Sequence, residues 1–340
     1  MGDSRKRGVS MTINATLYDN RNEKMFDISE VIFDLKITTK IEDDPGKATF
    51  KILKIDDIAF WEGATVSIQI DGVKMFRGYV FDKKRNKDVE IIEVTCYDQL
   101  RYLKNKDSDA FENMTSDQIF AKLCNKFVLK YRIVDKSSYK CAPRNNPATA
   151  LYDMIKRALD DTLINSKQRF IIRDNYGVLE HVNIFSLQPG IMLGDESGVT
   201  DFAYETSIDK DTYNQIKLYR ENKKTAKREI FIVNDTINGG NTLKAWGILQ
   251  LYEKVDENLN IAQIEQKARG MLALYNNTKR SLKLECLGVP TMCAGSVFKC
   301  SIKDLGDLSI NRYLLVTSCT HKISNEEHTM TLNTEVVTNV

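Results

Sequence analysis

Three histidines in 340 residues, and no Cys-x-x-Cys pair among seven cysteines, leave little for metal or histidine chemistry to use. His-Glu-x-x-His, Gly-x-x-x-x-Gly-Lys and Gly-x-Gly-x-x-Gly are all missing, so neither a metalloprotease helix nor a phosphate cradle is expected. Five prolines and no low-complexity tract argue against a disordered linker or tail. No window approaches the roughly 18 apolar residues of a membrane span, so an integral membrane protein is not expected. The basic start Met1-Gly2-Asp3-Ser4-Arg5-Lys6-Arg7 is followed by no apolar run, so an ordinary secretory signal is not expected. Without such a signal the cysteines read as reduced thiols of a cytosolic compartment. Cys286, Cys293 and Cys300 recur every seven residues, but an odd offset along strands alternates faces, so buried structural thiols are expected. An excess of one charge is also missing. The formal charge of +2 gives no whole-chain footprint for nucleic acid.

What is present is an ordinary globular composition, 42% apolar and 28% charged, in a chain long enough for two or three domains. Up to about Leu103 the chain reads as β. Val31, Phe33, Leu35 and Ile37 alternate, Pro45-Gly46 turns, Phe50 and Ile52 alternate, and Val66, Ile68 and Ile70 lead into Asp71-Gly72. Asp-Gly suits a type I′ hairpin, whose central residues need positive φ. From Lys104 to Thr200 the period becomes helical. Thr115-x-x-Gln118 is a capping box ahead of Ile119, Phe120, Leu123, Cys124 and Phe127. Asn146-Pro147 reads as the N-cap and first turn before Leu151, Met154, Ile155, Ala158 and Leu159. Phe170–Ile172, the Asp174–Gly177 turn and Val178–Ile184 read as a hairpin. From Asp201 the β period returns, with paired strands at Tyr213–Tyr219 and Glu229–Val233, an apolar segment Leu243–Tyr252, and one helix carrying Ile261, Ile264, Ala268, Met271, Leu272 and Tyr275. Gly295–Ile302 repeats the design of Gly63–Ile70, with Gly opening a strand and two further strands returning.

Three constellations deserve a chemical test. Gly194-Asp195-Glu196-Ser197-Gly198 resembles a nucleophile elbow, but its serine stands one place too late and no strand leads into a helix. Asp43-Asp44, Asp56-Asp57 and Asp160-Asp161 offer carboxylate pairs of the kind a glycosidase needs, with nothing to place two in one cleft. If Ser324-Asn325 is a two-residue turn, His321 and His328 oppose each other, and Cys319 shares the face of His321. A Cys319–His321–His328 metal site is then conceivable but lacks a fourth ligand. No catalytic residue, metal or cofactor is expected. The basic clusters Lys83-Lys84-Arg85-Asn86-Lys87 and Lys223-Lys224-Thr225-Ala226-Lys227-Arg228 fall between strands, as solvated turns or as contacts to an acidic neighbouring subunit.

Several longer runs resemble one family: Pro45–Phe50, Glu62-Gly63 before Val66–Ile70, Phe76–Phe81, Tyr97–Asp107, Tyr213–Leu218, Trp246–Gln250, Ala294–Val297, and His321 spaced from His328-Thr329-Met330. Together they are similar to the PBSX-type (XkdQ/YqbQ-like) baseplate hub of contractile phage tails, within the late control gene D superfamily that includes type VI spike bases. The resemblance implies an α+β, mainly β fold with two tail-tube-like β-barrel domains and an α/β module between them. The domains expected are 1–103, a first tube-like barrel; 104–200, the inserted α/β module; and 201–340, a second barrel with one interrupting helix. It further implies a homotrimer whose six barrels ring an axial channel between a hexameric tail tube, or tube initiator, and a threefold spike. Tape-measure and baseplate wedge proteins are further implied partners. DNA is implied only as transient cargo. The implied location is the tail baseplate of a virion or phage-tail-like bacteriocin assembled in the bacterial cytoplasm. No enzyme is implied, since the chain ends at Val340 directly after the second β block. The contrasting readings are a cell-wall-degrading hydrolase of the tail and a type VI spike base.

Overall fold

The computed structural model describes residues 11–337 apart from 43, 56, 88, 210, 223–226, 239, 258, 304–309 and 325–326. Its first part is a rolled sheet of β1 (Ile13–Asp19), β2 (Lys24–Asp27), β3 (Ile32–Lys40), β4 (Lys47–Leu53), β5 (Thr65–Ile70), β6 (Val73–Arg85) and β7 (Ile91–Tyr97). Alternation along β5 and β4 sends Val66, Ile68, Ile70, Ala48, Phe50 and Ile52 into one barrel core. Asp71 and Gly72 close the β5–β6 hairpin at φ 50° and 76°, as the type I′ turn requires. In β3 the simple alternation fails. Asp34 at φ 51° sits in a bulge between Phe33 and Lys36, so Ile32, not Phe33, shares the buried face with Leu35 and Ile37.

A 3₁₀ turn at Gln99–Lys104 leads into β8 (Lys106–Phe111), α1 (Ser116–Lys126), β9 (Tyr131–Ile133), β10 (Arg144–Ala150), α2 (Leu151–Ser166), β11 (Phe170–Asp174) and β12 (Leu179–Asn183). Thr115 and Gln118 form the expected capping box. Ile119, Phe120, Leu123 and Cys124 of α1 pack on Leu151, Met154, Ile155 and Ala158 of α2. The Phe170 hairpin is present, with β9 added in parallel to β12. Asn146-Pro147 does not start a helix. Both lie in β10, which among the described residues pairs with β8 alone, and α2 begins at Leu151 with Ala150 as N-cap. Proline lacks a backbone N–H yet fits an edge strand at a bulge, and this ladder shifts register between Asn146 and Thr149.

The remaining strands divide between two sheets. β13 (Met192–Gly194), β14 (Val199–Ser207), β18 (Lys279–Leu287), β19 (Val297–Ile302), β20 (Ile310–Ile323) and β21 (His328–Val336) enclose the second barrel core of Leu282, Leu284, Phe298, Cys300, Leu314 and Leu332. Between β14 and β18 the chain forms β15 (Gln215–Asn222), β16 (Lys227–Asn234), α3 (Asn241–Trp246), β17 (Gln250–Lys254) and α4 (Ile261–Tyr275). The order of this second sheet is β16-β15-β17, and α4 covers one face through Ile264, Ala268, Met271 and Leu272. The described part of 201–340 thus holds two α-helices where one was expected, and the strands at 213–219 and 229–233 pair outside the barrel sheet. Ile261 points outward, 54% exposed, so it lies off the α4 core stripe.

The two barrels share a plan. In the first, β3-β4-β7-β6-β5-β1 are neighbours in that order; in the second, β14-β18-β21-β20 continue to β19 and β13. They also share a sheet. β20 pairs antiparallel with β3 from Ser318↔Lys40 to Ile323↔Leu35, giving thirteen strands in one ladder.

Candidate functional site

The seam between first barrel and α/β module is built from Tyr97–Asp107. Asp98 caps the 3₁₀ turn, its carboxylate accepting from Leu100 N at 3.0 Å and from Gly46 N at 2.9 Å. A Cβ on Gly46 would meet Asp98 Oδ2 at 2.1 Å, which explains the Pro45-Gly46 turn there. Asp174 caps the other side, accepting from Gln99 N at 3.0 Å and Gly177 N at 2.5 Å. Burial pushes the Asp98 carboxyl well above its ordinary value, with Asp174 adding to the rise; burial likewise raises Asp174 to about 6. Leu100 and Leu103 enter the module core, while Tyr102 sets its ring 5.7 Å from Tyr79 and 6.1 Å from Phe81. Of the three residues expected between the units, Tyr102 meets the barrel, Leu100 and Leu103 fill the module core, and Lys104 and Lys106 are exposed.

Cys319, His321 and His328 do converge. Ile323 faces His328 and His321 faces Met330, because the turn spans Ser324 to Glu327 (Ser324 N to Glu327 O, 2.9 Å). The two histidines are diagonal, not opposed; Asn325 of the expected two-residue turn lies outside the described residues. His321 Nε2 donates to the Met292 carbonyl at 2.8 Å, which leaves Nδ1 to accept from His328 Nε2 at 2.9 Å. Cys319 Sγ lies 3.2 Å from His321 Nε2. Burial lowers His321 to about 4 and raises the Cys319 thiol well above its usual range. In this tautomer His321 keeps no lone pair for a metal. Among the described residues no group of three His, Cys, Asp or Glu is arranged to hold an ion. The trio is a hydrogen-bonded wedge beside the barrel joint, where Thr39 Oγ1 also accepts from Ala294 N at 2.9 Å.

Other candidates are equally structural in their contacts. Ser197 donates its hydroxyl to Met192 O at 3.1 Å within a turn. Ser116 Oγ and His181 Nε2 stand 3.0 Å apart, a pairing not picked out from the sequence, but both are fully buried. Asp160 is raised to about 6, first by burial. It lines a cavity of about 60 Å³ with Glu42, itself ion-paired to Lys156. Ligand pockets usually run to about 300 Å³ or more, so no sugar ring fits. Asp161 is ion-paired to Arg144 and Lys267, and Asp43 and Asp56 lie outside the described residues. All seven cysteines are free; Cys286 and Cys300 face one core from different strands, so the single-strand argument about alternating faces does not apply to them.

The sheet edges are where the surface is unfinished. Among the described residues, β14 pairs only with β18, and beyond β5 the end of β6 pairs only with β7. Lys83, Lys84 and Arg85 form that end of β6 as strand residues, not the expected turn. Of the second basic cluster, residues 223–226 lie outside the described residues. The runs at Tyr213–Leu218 and Trp246–Gln250 also acquire a reason. Buried Asn214 donates to Gly247 O at 2.8 Å and accepts from Leu249 N at 2.9 Å, stitching β15 to the start of β17. No described helix is long and apolar enough to cross a membrane.

The model of the YQBQ-like family matches residues 35–335, and so spans the first barrel from β3, the module and the second barrel. The chain belongs to the YQBQ-like family. Protein YqbQ of Bacillus subtilis is 28% identical over 281 residues, 80% of this chain and 81% of that protein. The phage-like element PBSX protein XkdQ of the same organism is 29% identical over 283 residues, with the same coverage. The prophage MuSo2 tail protein of Shewanella oneidensis shares the fold, at a TM-score of 0.69 and 13% identity, covering 94% of this chain and 98% of that one. The family resemblance carried by the sequence runs is thereby shown, and the fold is mainly β with two barrels flanking an α/β module.

Proposed function

We propose that this YQBQ-like chain is a structural hub of a contractile-type tail baseplate, in a phage or a phage-tail-like bacteriocin. Three copies form a ring in which two barrels per chain give a pseudo-sixfold face, matching a hexameric tail tube or its initiator. The opposite face receives a threefold spike, and an axial channel passes tape measure or DNA as cargo; wedge proteins bind outside. Assembly takes place in the bacterial cytoplasm and the product resides in the tail. The activity is assembly, with no turnover. Domains of 1–103, 104–200 and 201–340 fit this reading, the last carrying the β15–β17 sheet as an outgrowth.

The observation that carries it is the single sheet through both barrels. Two units of one strand order, joined edge to edge by β20 and β3, are what a chain needs to supply two consecutive positions of a sixfold wall. Light scattering and negative-stain imaging test it, with the protein alone and mixed with tube and spike proteins from its own particle. Threefold rings are expected. A monomer that joins neither tube nor spike overturns the reading.

A further inference from the structure

Around one bulge the strands of the two barrels can be matched residue by residue from their hydrogen bonds. Gly63 N donates to Val80 O at 2.7 Å and Val80 N to Ala64 O at 2.9 Å; Gly295 N donates to Val316 O at 2.8 Å and Val316 N to Ser296 O at 2.9 Å. One bulge follows each valine, between Val80 and Asp82 in β6 and between Val316 and Ser318 in β20. Past the bulge, Lys84 corresponds to Thr320 and Arg85 to His321. Across the sheet, Val80 faces Cys96, Cys96 faces Ala48, and Ala48 faces Ile37. In the other barrel Val316 faces Thr334, Thr334 faces Leu282, and Leu282 faces Tyr204. Ile37 therefore corresponds to Tyr204, and Thr38 to Glu205.

Within the chain, the end of β20 pairs with β3, and Thr320 faces Thr38 with their hydroxyls 3.2 Å apart. The corresponding strands, the end of β6 and β14, have no such partner among the described residues and lie well apart in the ladder. We infer that β14 of one copy adds antiparallel to the end of β6 in the next copy, with Lys84 opposite Glu205, Lys83 opposite Thr206 and Asp82 opposite Ser207. This rests on the ring reading above and gives that ring its joint.

Charge agrees with the register. β14 carries Asp201 and Glu205 and no basic residue, while β6 ends in Lys83, Lys84 and Arg85. The Lys84 side chain is 70% exposed, with the surface carboxylate of Asp82 3.5 Å away, and Glu205 is exposed, so both face water before assembly. Two β14 edges meeting each other would set carboxylates together, so pairing is driven to be heterologous, as a closed ring needs. Unlike charges on the two edges also keep each from recruiting its own kind.

The test is a Lys84→Cys/Glu205→Cys variant, oxidised and run on a non-reducing gel. Opposed residues of an antiparallel pair hold their Cβ atoms about 4.5–5.5 Å apart, so a covalent trimer is expected. A Lys84→Cys/Asp201→Cys control, four residues out of register, gives none. The single Glu205→Lys change is expected to weaken trimer formation roughly fivefold, and Lys84→Glu/Glu205→Lys to restore it. A trimer of the unmodified protein by light scattering, with no disulfide at 84/205, overturns this joint and leaves the ring standing. No trimer from the unmodified protein, alone or with tube and spike proteins, overturns both. Melting of each variant alongside the parent separates lost assembly from lost folding.

Discussion

At the covered joint Thr38 faces Thr320 and Ile37 faces His321, with Cys319 buried one residue away. At the matching open positions stand Glu205 and Tyr204 on β14, and Lys83, Lys84 and Arg85 on β6. At these positions the covered joint is uncharged, its lysines Lys36, Lys40 and Lys322 standing exposed on either side, whereas the open one is charged on both strands. The first closes inside a single folding chain, so apolar and hydroxyl groups can fill it without ever facing a second molecule. The second must remain in water until another copy arrives, and charge is how an edge strand survives that wait. The same sheet plan thus carries two kinds of joint, told apart by side chains alone.

The comparison breaks most decisively at Ile323. It belongs to β20 of the second barrel yet packs, 2% exposed, in the core of the first. Ile323→Asp buries an unpaired charge there and should cost about 3–5 kcal/mol, read as a lower urea midpoint. An unchanged midpoint would mean that the barrels are not coupled through this joint.

His321 gives the next largest effect, through pH. Burial holds its folded value at about 4, below the ordinary 6.5, so the unfolded chain takes up a proton first as pH falls. Its contribution is fully present above 6.5 and is lost as pH drops toward 4, on the order of 3 kcal/mol in all. The Asp98–Asp174 seam runs the other way. Those carboxyls are raised, so their share is present below the ordinary 3.8 and fades as pH rises through about 6. Urea midpoints across this range should lose their acid-side fall in His321→Gln and their rise-dependent loss in Asp174→Asn. Parallel curves for all three proteins would remove both assignments.

Asp98→Ala leaves the Gly46 and Leu100 amides unpaired in a buried turn, for an expected 1–3 kcal/mol. Hydrogen exchange at those two amides should rise with it. The smallest effect is the most telling about the open joint. Lys84→Glu should leave the isolated chain within about 0.5 kcal/mol of the parent in urea, while weakening assembly. A large loss of monomer stability would make the basic end of β6 part of the fold after all.

Local chemistry was well written into the sequence. Asp71-Gly72, the Thr115–Gln118 box, the Leu151–Ala158 stripe and the Gly63/Gly295 parallel each depend on residues within one turn or one hairpin, and each is found in place. What escaped depends on distant partners. Period-two alternation says that residues 213–219 and 229–233 are strands, but not that β17 would draw them into a separate sheet. Asn146-Pro147 has helix-start chemistry, yet β8 captured it as an edge strand. The His321–His328 contact was legible as a shared face, whereas its register hung on a turn two residues longer than supposed. The seam was legible as a boundary; its cause, Asp98 reaching back to Gly46 across 52 residues, was not.

The β3–β20 pairing also sets a schedule. Thr38 and Thr320 are 282 residues apart, and ribosomes add roughly 5–20 residues per second. β3 therefore emerges with its outer edge bare and keeps it so for about 15–60 s of synthesis, until β20 follows it out. Through that interval a nascent chain carries an open strand edge that the finished protein keeps paired. Neighbouring chains on one messenger would meet at β3 before either has a second barrel, so slow translation of the intervening segments is a hazard built into this order of strands.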